Sequence, residues 1–167
     1  PKASDRAGRG GRYAAMRARV ADSFADFAQR SAVSGKLAGL GSGSMRLLGT
    51  SGTASTRASL YLDLPQYDRR AVDGLIVPAE SMRAISARLS AMSLAERQQL
   101  ACIGRERADL VVAGCAILEA ILDLWPADRL GVAHRGIREG ILRSMIAASG
   151  EGERLRAEVM RLRQASR

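Results

Sequence analysis

Aromatic residues and cysteines are scarce in this chain of 167 residues: 4% of the residues are aromatic and two are cysteine. Cys102 and Cys115 both lie in apolar-rich segments, which excludes a disulfide-stabilised scaffold and predicts small core side chains in a reducing compartment. With one histidine, His134, the chain has too few soft ligands for a zinc site. The low aromatic content also argues against a protein that stacks nucleic-acid bases on aromatic side chains.

Long apolar runs are also absent. No run approaches the ~20 residues of a membrane-spanning helix, and none follows the early arginines as a signal peptide would require. We therefore expect a cytoplasmic protein without membrane contact. The composition, 47% hydrophobic and 26% charged, is that of one folded domain. The net charge is +9, and every cation except Lys2 and Lys36 is an arginine. This excess indicates either a polyanion partner, such as RNA, or a basic solvated surface.

The two ends of the chain differ in composition from its middle. Residues 1–12 carry basic residues among Gly, Ser and Pro, which predicts a flexible basic arm. Residues 149–167 predict a basic tail, either an exposed helix or disordered. In between, apolar residues recur three and four positions apart, as in amphipathic helices. The predicted helices cover residues 13–35, 52–62, 82–92, 105–125 and 137–148.

Short apolar runs predict three strands, at residues 45–48, 72–77 and 130–133. Strands that alternate with helices indicate βα units and a mainly parallel sheet. Three strands are few for such a sheet, so we expect either a sheet completed by other sequence or a mostly helical subdomain. The predicted class is α/β, rich in helix, with a few short and mainly parallel strands.

The loop between the first strand and the next helix carries the strongest chemical signal. Backbone N–H groups at a helix N-terminus favour an anion, glycines let the ligand approach the backbone, and hydroxyls add donors. A tight turn with a helix cap explains the same sequence equally well. By contrast, residues 41–44 precede a strand instead of following one, which predicts a linker. The candidate phosphate-binding residues are Gly49, Thr50, Ser51, Gly52 and Thr53.

The remaining polar candidates favour structural roles. His134 lies at a strand end without an evident carboxylate or nucleophile partner, so we interpret it as a surface or turn residue. Arg135, Arg138 and Glu139 open the last helix, which is typical of an exposed, salt-bridged turn. An anion contact or a contact between domains is the alternative for these three residues.

Three segments, taken in order, resemble the Ppx/GppA family of exopolyphosphatases and guanosine pentaphosphate phosphohydrolases. The first is Leu48–Thr53 followed by Leu64–Arg70 and Val72–Gly74. The others are Arg105–Glu119 and Arg135–Leu142, and the resemblance covers roughly residues 12 to 148. It implies an actin-like architecture with two ribonuclease-H-like domains around a cleft, and a partial second domain at residues 13–148. In that architecture Gly49–Thr53 is implied to be the glycine loop that faces the cleft and its phosphate or nucleotide. The helix start at Arg107–Asp109 and the turn at Arg135–Gly140 are implied to be mainly structural elements near that cleft.

The resemblance also implies an activity, which is hydrolysis of terminal phosphoanhydride bonds of polyphosphate or guanosine pentaphosphate with magnesium. It implies a homodimer in the full-length protein. The family's Asp-x-Gly-Ser loop and its water-activating Glu do not occur here: residues 39–42 read Gly-Leu-Gly-Ser, and His134 stands where members commonly have Asp. We therefore expect catalytic residues and magnesium ligands outside this chain and no turnover by the chain alone. The alternative is a non-enzymatic, Arg-rich module that binds RNA or polyphosphate.

Overall fold

The computed structural model describes residues 3–31, 35, 46–50, 52–150, 154, 158, 161 and 164. It divides into two compact units, residues 1–134 and residues 135–167. No described helix combines the length and the apolar character needed to cross a bilayer. The helices are α1 (Ala3–Arg30), α2 (Gly52–Tyr61), α3 (Arg69–Val72), α4 (Ala79–Ala91), α5 (Leu94–Gln98), α6 (Val111–Leu124) and α7 (Ile137–Ala148), and the strands are β1 (Leu47–Gly49), β2 (Ile76–Pro78) and β3 (Arg129–Val132).

Helix α1 begins at Ala3, well before the expected start at Tyr13. Part of the segment that we expected to be a flexible arm is therefore helical. Arg9 gives the physical reason, because its Nε donates a hydrogen bond to the carbonyl oxygen of Ala91 at 3.1 Å, at the end of α4. The domain boundaries at residues 12 and 148 stay predictions, and most of the expected basic tail lies outside the described residues.

Helices α1, α4 and α6 enclose one apolar core of the first unit. Tyr13, Leu89 and Cys115 are buried together in it. The edges of the Phe24 and Phe27 rings meet Trp125 with 5.9 Å between ring centroids, which closes the end of the helix pair. Cys102 is also buried. The predicted role of both cysteines as small core side chains is thus confirmed.

Charged groups tie the same three helices together. Arg17 pairs with the buried Glu119 at 3.2 Å and also with Asp123, which Arg83 contacts at 2.8 Å. Burial, reinforced by the nearby Glu119 carboxylate, raises the pKa of Tyr13 well above its usual value. On α2, Arg57 is fully buried, and its guanidinium has no hydrogen-bond partner within the described part of the chain. The helices of the first unit therefore enclose charged side chains as well as apolar ones.

The sheet has the order β1-β3-β2. β1 runs parallel to β3, and β2 runs antiparallel to β3. The sheet is thus mixed, with one of its two pairings parallel. The expected strand over residues 72–77 was wrong in its first half, because residues 69–72 form the short helix α3. Asp68 caps this helix by accepting a hydrogen bond from the Arg70 amide at 2.8 Å, and the strand starts at Ile76.

The helix that we expected to begin at Arg105 begins later, and the buried Arg97 explains the difference. Residues 105–110 are turns, and α6 begins at Val111 instead of Arg105. Arg97 donates to the carbonyl oxygens of Ala108 at 2.7 Å and Met92 at 2.6 Å. These bonds hold the segment as turns against α4. The helices expected over residues 52–62, 82–92 and 137–148 are confirmed, with a difference of at most three residues at any end.

Candidate phosphate-binding site

Gly49 ends β1 at a point where the backbone of the next helix approaches very closely. Its carbonyl oxygen accepts a hydrogen bond from the Ala133 amide at 3.0 Å. A β-carbon at Gly49 would lie only 2.5 Å from the β-carbon of Ala54, which is too close for any side chain. Gly49 is therefore fixed by the close packing of α2 on the strand, and it sets where α2 begins.

The N-terminus of α2 is exposed and carries no acidic residue in its first turn. Gly52 is the first residue of the helix, and it is exposed. The first amides of a helix have no intrahelical acceptor, and the helix dipole adds positive potential there. Thr50 is exposed beside them, whereas Ser51 lies outside the described residues. The strand–loop–helix arrangement predicted from the sequence is confirmed.

Thr53 differs from its neighbours in the direction of its side chain. A β-carbon placed on Gly114 of α6 would lie 2.5 Å from Thr53 Oγ1. The Thr53 side chain therefore packs against α6, and α6 needs glycine at that point. Thr53 can still offer its backbone amide to a ligand, whereas its hydroxyl is turned toward the helix. Its main role in the described structure is to hold α2 against α6.

Arg107 is the residue that the sequence reasoning missed. Its Nη1 lies 3.8 Å from the position that a β-carbon would take on Gly52. The side chain is exposed, so its charge faces solvent beside the start of α2. The family resemblance implied a mainly structural role for this segment, and no local pattern connects Arg107 with a loop so distant in the chain. An arginine guanidinium beside the first backbone N–H groups of a helix is a suitable receptor for a phosphate group.

An apolar cavity of about 400 Å³ adjoins the same loop. Gly49, Thr50 and Thr53 form one wall, and Leu47, Ile117 and Ile121 are among the side chains that form the rest. A multiply charged phosphate chain is poorly solvated in such a cavity. The anion therefore fits at the α2 terminus beside Arg107, and the cavity suits apolar groups.

Two of the other polar candidates, His134 and Glu139, have hydrogen-bond partners close to them in the fold. The Tyr67 hydroxyl lies 2.9 Å from Nδ1 of His134, and the His134 amide donates to Asp73 at 2.8 Å. His134 is thus tied into a turn, as the sequence indicated. In the second unit, Glu139 accepts a hydrogen bond from the Gly136 amide at 2.8 Å and caps α7. Arg135 and Arg138 are exposed there.

Magnesium does not fit the residues of this site. Among the described residues, no group of three or more His, Cys, Asp or Glu side chains is placed to hold a metal ion. The loop itself offers amides and hydroxyls, whereas Mg²⁺ prefers carboxylates and water in octahedral geometry. The α2 terminus is therefore suited to bind an anion directly, through its amides and Arg107.

The sequence model of the Ppx/GppA phosphatase family matches residues 12–149. The chain belongs to this family. The match contains β1, the glycine loop, α2, Arg107 and α6, so the residues that build the site all lie within the family region. No curated protein matches the chain.

Solved structures show the same architecture. The Ppx/GppA family member of Aquifex aeolicus superposes with a TM-score of 0.59 at 23% identity, over 77% of this chain and 40% of that protein. An exopolyphosphatase from Cytophaga hutchinsonii superposes with a TM-score of 0.59 at 20% identity, over 79% of this chain and 42% of that protein. The helix-rich α/β class is thus confirmed as the actin-like fold of the family. The chain spans about two-fifths of the length of these relatives.

Proposed function

We propose that the N-terminus of α2 and Arg107 form part of the phosphate-binding site of a phosphohydrolase that acts on terminal phosphoanhydride bonds. Membership of the Ppx/GppA family supports chemistry of the phosphatase type. The observation that carries the proposal is the 3.8 Å distance between Arg107 Nη1 and the β-position of Gly52. It brings a permanent cation beside the first residue of a helix.

The arrangement explains how a charged phosphate would be held. The α2 amides point at the anion, the exposed backbone at Gly52 lets an oxygen approach, and the Arg107 guanidinium neutralises a second oxygen. Substrates of this chemistry are polyphosphate and guanosine pentaphosphate. Both present a chain of phosphoanhydrides whose terminal group fits such a cradle.

The proposed site serves to hold phosphate, and among its described residues there is no carboxylate to activate water. Hydrolysis of a phosphoanhydride requires a positioned base and neutralisation of the leaving oxygen. Within the described residues we find neither a metal-ligating cluster nor an acidic side chain in the first turn of α2. We therefore propose that turnover, with magnesium, depends on residues of the family architecture that this chain does not span.

Phosphate release tests the proposal. The chain and a polypeptide extended to the full length of its relatives are each incubated with magnesium and polyphosphate or guanosine pentaphosphate, and phosphate is measured with malachite green. We expect release by the extended protein alone, and an Arg107→Gln substitution in it should slow that release. If the extended protein releases no phosphate from either substrate, the proposed function is wrong.

The alternative, an Arg-rich polyanion-binding module, is supported by the net charge of +9. The two hypotheses differ in how binding responds to salt and to single substitutions. Binding of RNA or polyphosphate through distributed arginines weakens steeply with salt and is insensitive to any single loop residue. Binding at the α2 terminus is lost when Gly52 or Arg107 is replaced.

A further inference from the structure

Two arginine side chains are buried in the first unit, and they differ in their hydrogen bonding. Arg97 is 8% exposed, and its guanidinium donates to the carbonyl oxygens of Ala108 at 2.7 Å and Met92 at 2.6 Å. Arg57 of α2 is 0% exposed, yet none of its guanidinium nitrogens has a hydrogen-bond partner within the described residues. The backbone acceptors that satisfy Arg97 therefore have no counterpart at Arg57.

The positive charge of Arg57 also lacks a counter-charge. Among the described residues, Glu119 is the one buried carboxylate, and it pairs with Arg17 at 3.2 Å. None of the ion pairs of the described chain includes Arg57. A buried lysine can lose its proton, whereas the guanidinium of an arginine stays charged in proteins. Because an uncompensated charge in a protein core is strongly destabilising, we expect a negative charge beside Arg57 that these residues do not supply.

Tyr13 of α1 adds a second donor to the same buried region. Its side chain packs in the core with Cys115, and its hydroxyl lies near the Glu119 carboxylate but outside hydrogen-bond geometry. Burial and the Glu119 carboxylate raise the pKa of Tyr13, and the positive charge of Arg57 opposes that rise. The phenol hydroxyl and the guanidinium therefore share one region of the core, and both offer hydrogen atoms there.

The space around Arg57 decides which anion fits. Arg57 lines none of the three cavities described for this part of the chain, whose volumes are about 400, 700 and 290 Å³. A phosphate chain requires a cavity of that kind, whereas a monatomic anion needs about the space of a single water molecule. The region also differs from the α2 terminus, where Thr50 and Gly52 are exposed. The anion that matches Arg57 is therefore small and monovalent.

We propose that Arg57 holds a monatomic anion, such as chloride, in the core of the first unit, with the Tyr13 hydroxyl as a second donor. The anion neutralises the guanidinium and accepts hydrogen bonds from side chains of both α1 and α2, so it links the two helices. Because the donors come together only when the chain is folded, the bound anion stabilises the folded state. This site is independent of the phosphate site proposed above.

Unfolding of the chain by urea at constant ionic strength tests this site. Sodium chloride replaces sodium gluconate stepwise, so that electrostatic screening stays fixed and only the anion changes. We expect the apparent equilibrium constant for unfolding to fall at least about tenfold and then to level off as the site fills. Bromide should act as chloride does, whereas gluconate is too large to enter the core. If chloride and gluconate give the same stability, the proposal is wrong.

Substitutions locate the effect of chloride. Arg57→Met keeps an unbranched side chain and removes the buried charge, so the variant should fold but lose the response to chloride. Tyr13→Phe removes one donor and should weaken chloride binding about fivefold. Arg83→Met is the matched control, because the Arg83 side chain is 39% exposed and pairs with Asp123, and it should keep the full response. A response of equal size in Arg57→Met would contradict the proposal.

Bromide provides a second readout that does not depend on any variant. Crystals of the unsubstituted chain are grown in sodium bromide, and the anomalous scattering of bromine locates each bound ion. We expect an anomalous peak within hydrogen-bond distance of the Arg57 guanidinium and on the side of the Tyr13 hydroxyl. An Arg57 side chain without such a peak, at a bromide concentration that stabilises the chain in urea, would overturn the proposal.

Discussion

Two helix starts of this chain contain a glycine: α2 begins at Gly52, and Gly136 is the N-cap of α7. The two starts differ in the charged side chain that lies beside them. At the start of α7, Glu139 accepts a hydrogen bond from the Gly136 amide at 2.8 Å, so a carboxylate of the helix itself lies at that helix start. At the start of α2, the first turn carries no acidic residue, and Arg107 approaches Gly52. One helix start is thus neutralised from within. The other combines a helix dipole with an added cation, which favours an anion from outside.

A glycine at a helix start does not by itself define a phosphate site. Both α2 and α7 have those features, and the sequence pattern at Arg135–Glu139 even adds arginines. The two helix starts differ in the sign of the charge on the side chain that lies beside them. For α7 that side chain is a carboxylate three residues away, whereas for α2 it is a guanidinium from a distant turn.

The largest expected effect comes from blocking the backbone at α2. Gly52→Val places a branched side chain over the open amide, and affinity for tripolyphosphate should fall at least about a hundredfold in calorimetry. Helix content should stay nearly unchanged, because the replaced residue lies at the first position of the helix. Gly11→Val, in the exposed part of α1, is the control and should leave affinity intact. Equal affinity in Gly52→Val would assign the loop a turn role only.

A second substitution makes α2 resemble α7. Thr50→Asp adds an internal carboxylate beside the helix start, where it competes with the ligand for the amides and repels it. We expect affinity for tripolyphosphate to fall on the order of 30-fold. Thr50→Asn has nearly the same shape without the charge and should bind almost as the parent does. If the two variants bind equally, electrostatics at the α2 terminus does not decide recognition.

Removing the cation at α2 should have a smaller effect. Arg107→Gln keeps hydrogen-bond donors but loses the charge, and the tripolyphosphate affinity should drop about tenfold. Arg105→Gln removes the same charge two residues earlier and serves as the matched control. The long-range contribution of net charge is the same in both variants. A similar loss in both would therefore point to distributed polyanion binding instead of a local site.

The smallest effect is expected at α7. Glu139→Gln removes the internal carboxylate and should destabilise the second unit by about 1 kcal/mol, measured as faster amide exchange along α7. It should also leave the Gly136 amide more responsive to added phosphate. No change in amide exchange would mean that the Glu139 carboxylate contributes nothing to that helix start.

The sequence predicted the local units well and their tertiary partners poorly. Apolar periodicity placed the helices around Met82 and Ile137, and the glycine loop placed the β1–α2 junction. The start of α1 and the start of α6 were both predicted wrongly for the same reason. In each case an arginine side chain donates a hydrogen bond to a backbone carbonyl elsewhere in the fold. Arg9 extends α1 by bonding to Ala91, and Arg97 holds the turns before α6 by bonding to Ala108. The spacing of residues along the chain contains no signal for such contacts.

The same limit applies to the candidate site. The candidate loop, residues 49–53, follows from a pattern of glycines after a strand. The placement of Gly49, Thr50, Gly52 and Thr53 at a strand–helix junction is confirmed. The proximity of Arg107 to Gly52 was found only in the folded structure, because an exposed arginine has no distinctive sequence context in a chain this rich in arginine. The packing of Thr53 against Gly114 could not be predicted from the sequence either, since it depends on the close approach of two helices.

Backbone amide resonances give the most direct test of the difference between the two helix starts. In a titration of the ¹⁵N-labelled chain with tripolyphosphate, followed by two-dimensional NMR, we expect the Gly52 and Thr53 amides to shift saturably while the Gly136 amide stays in place. Shifts of equal size at Gly136, or none at Gly52, would contradict the claim that α2 alone of the two presents a site for an external phosphate.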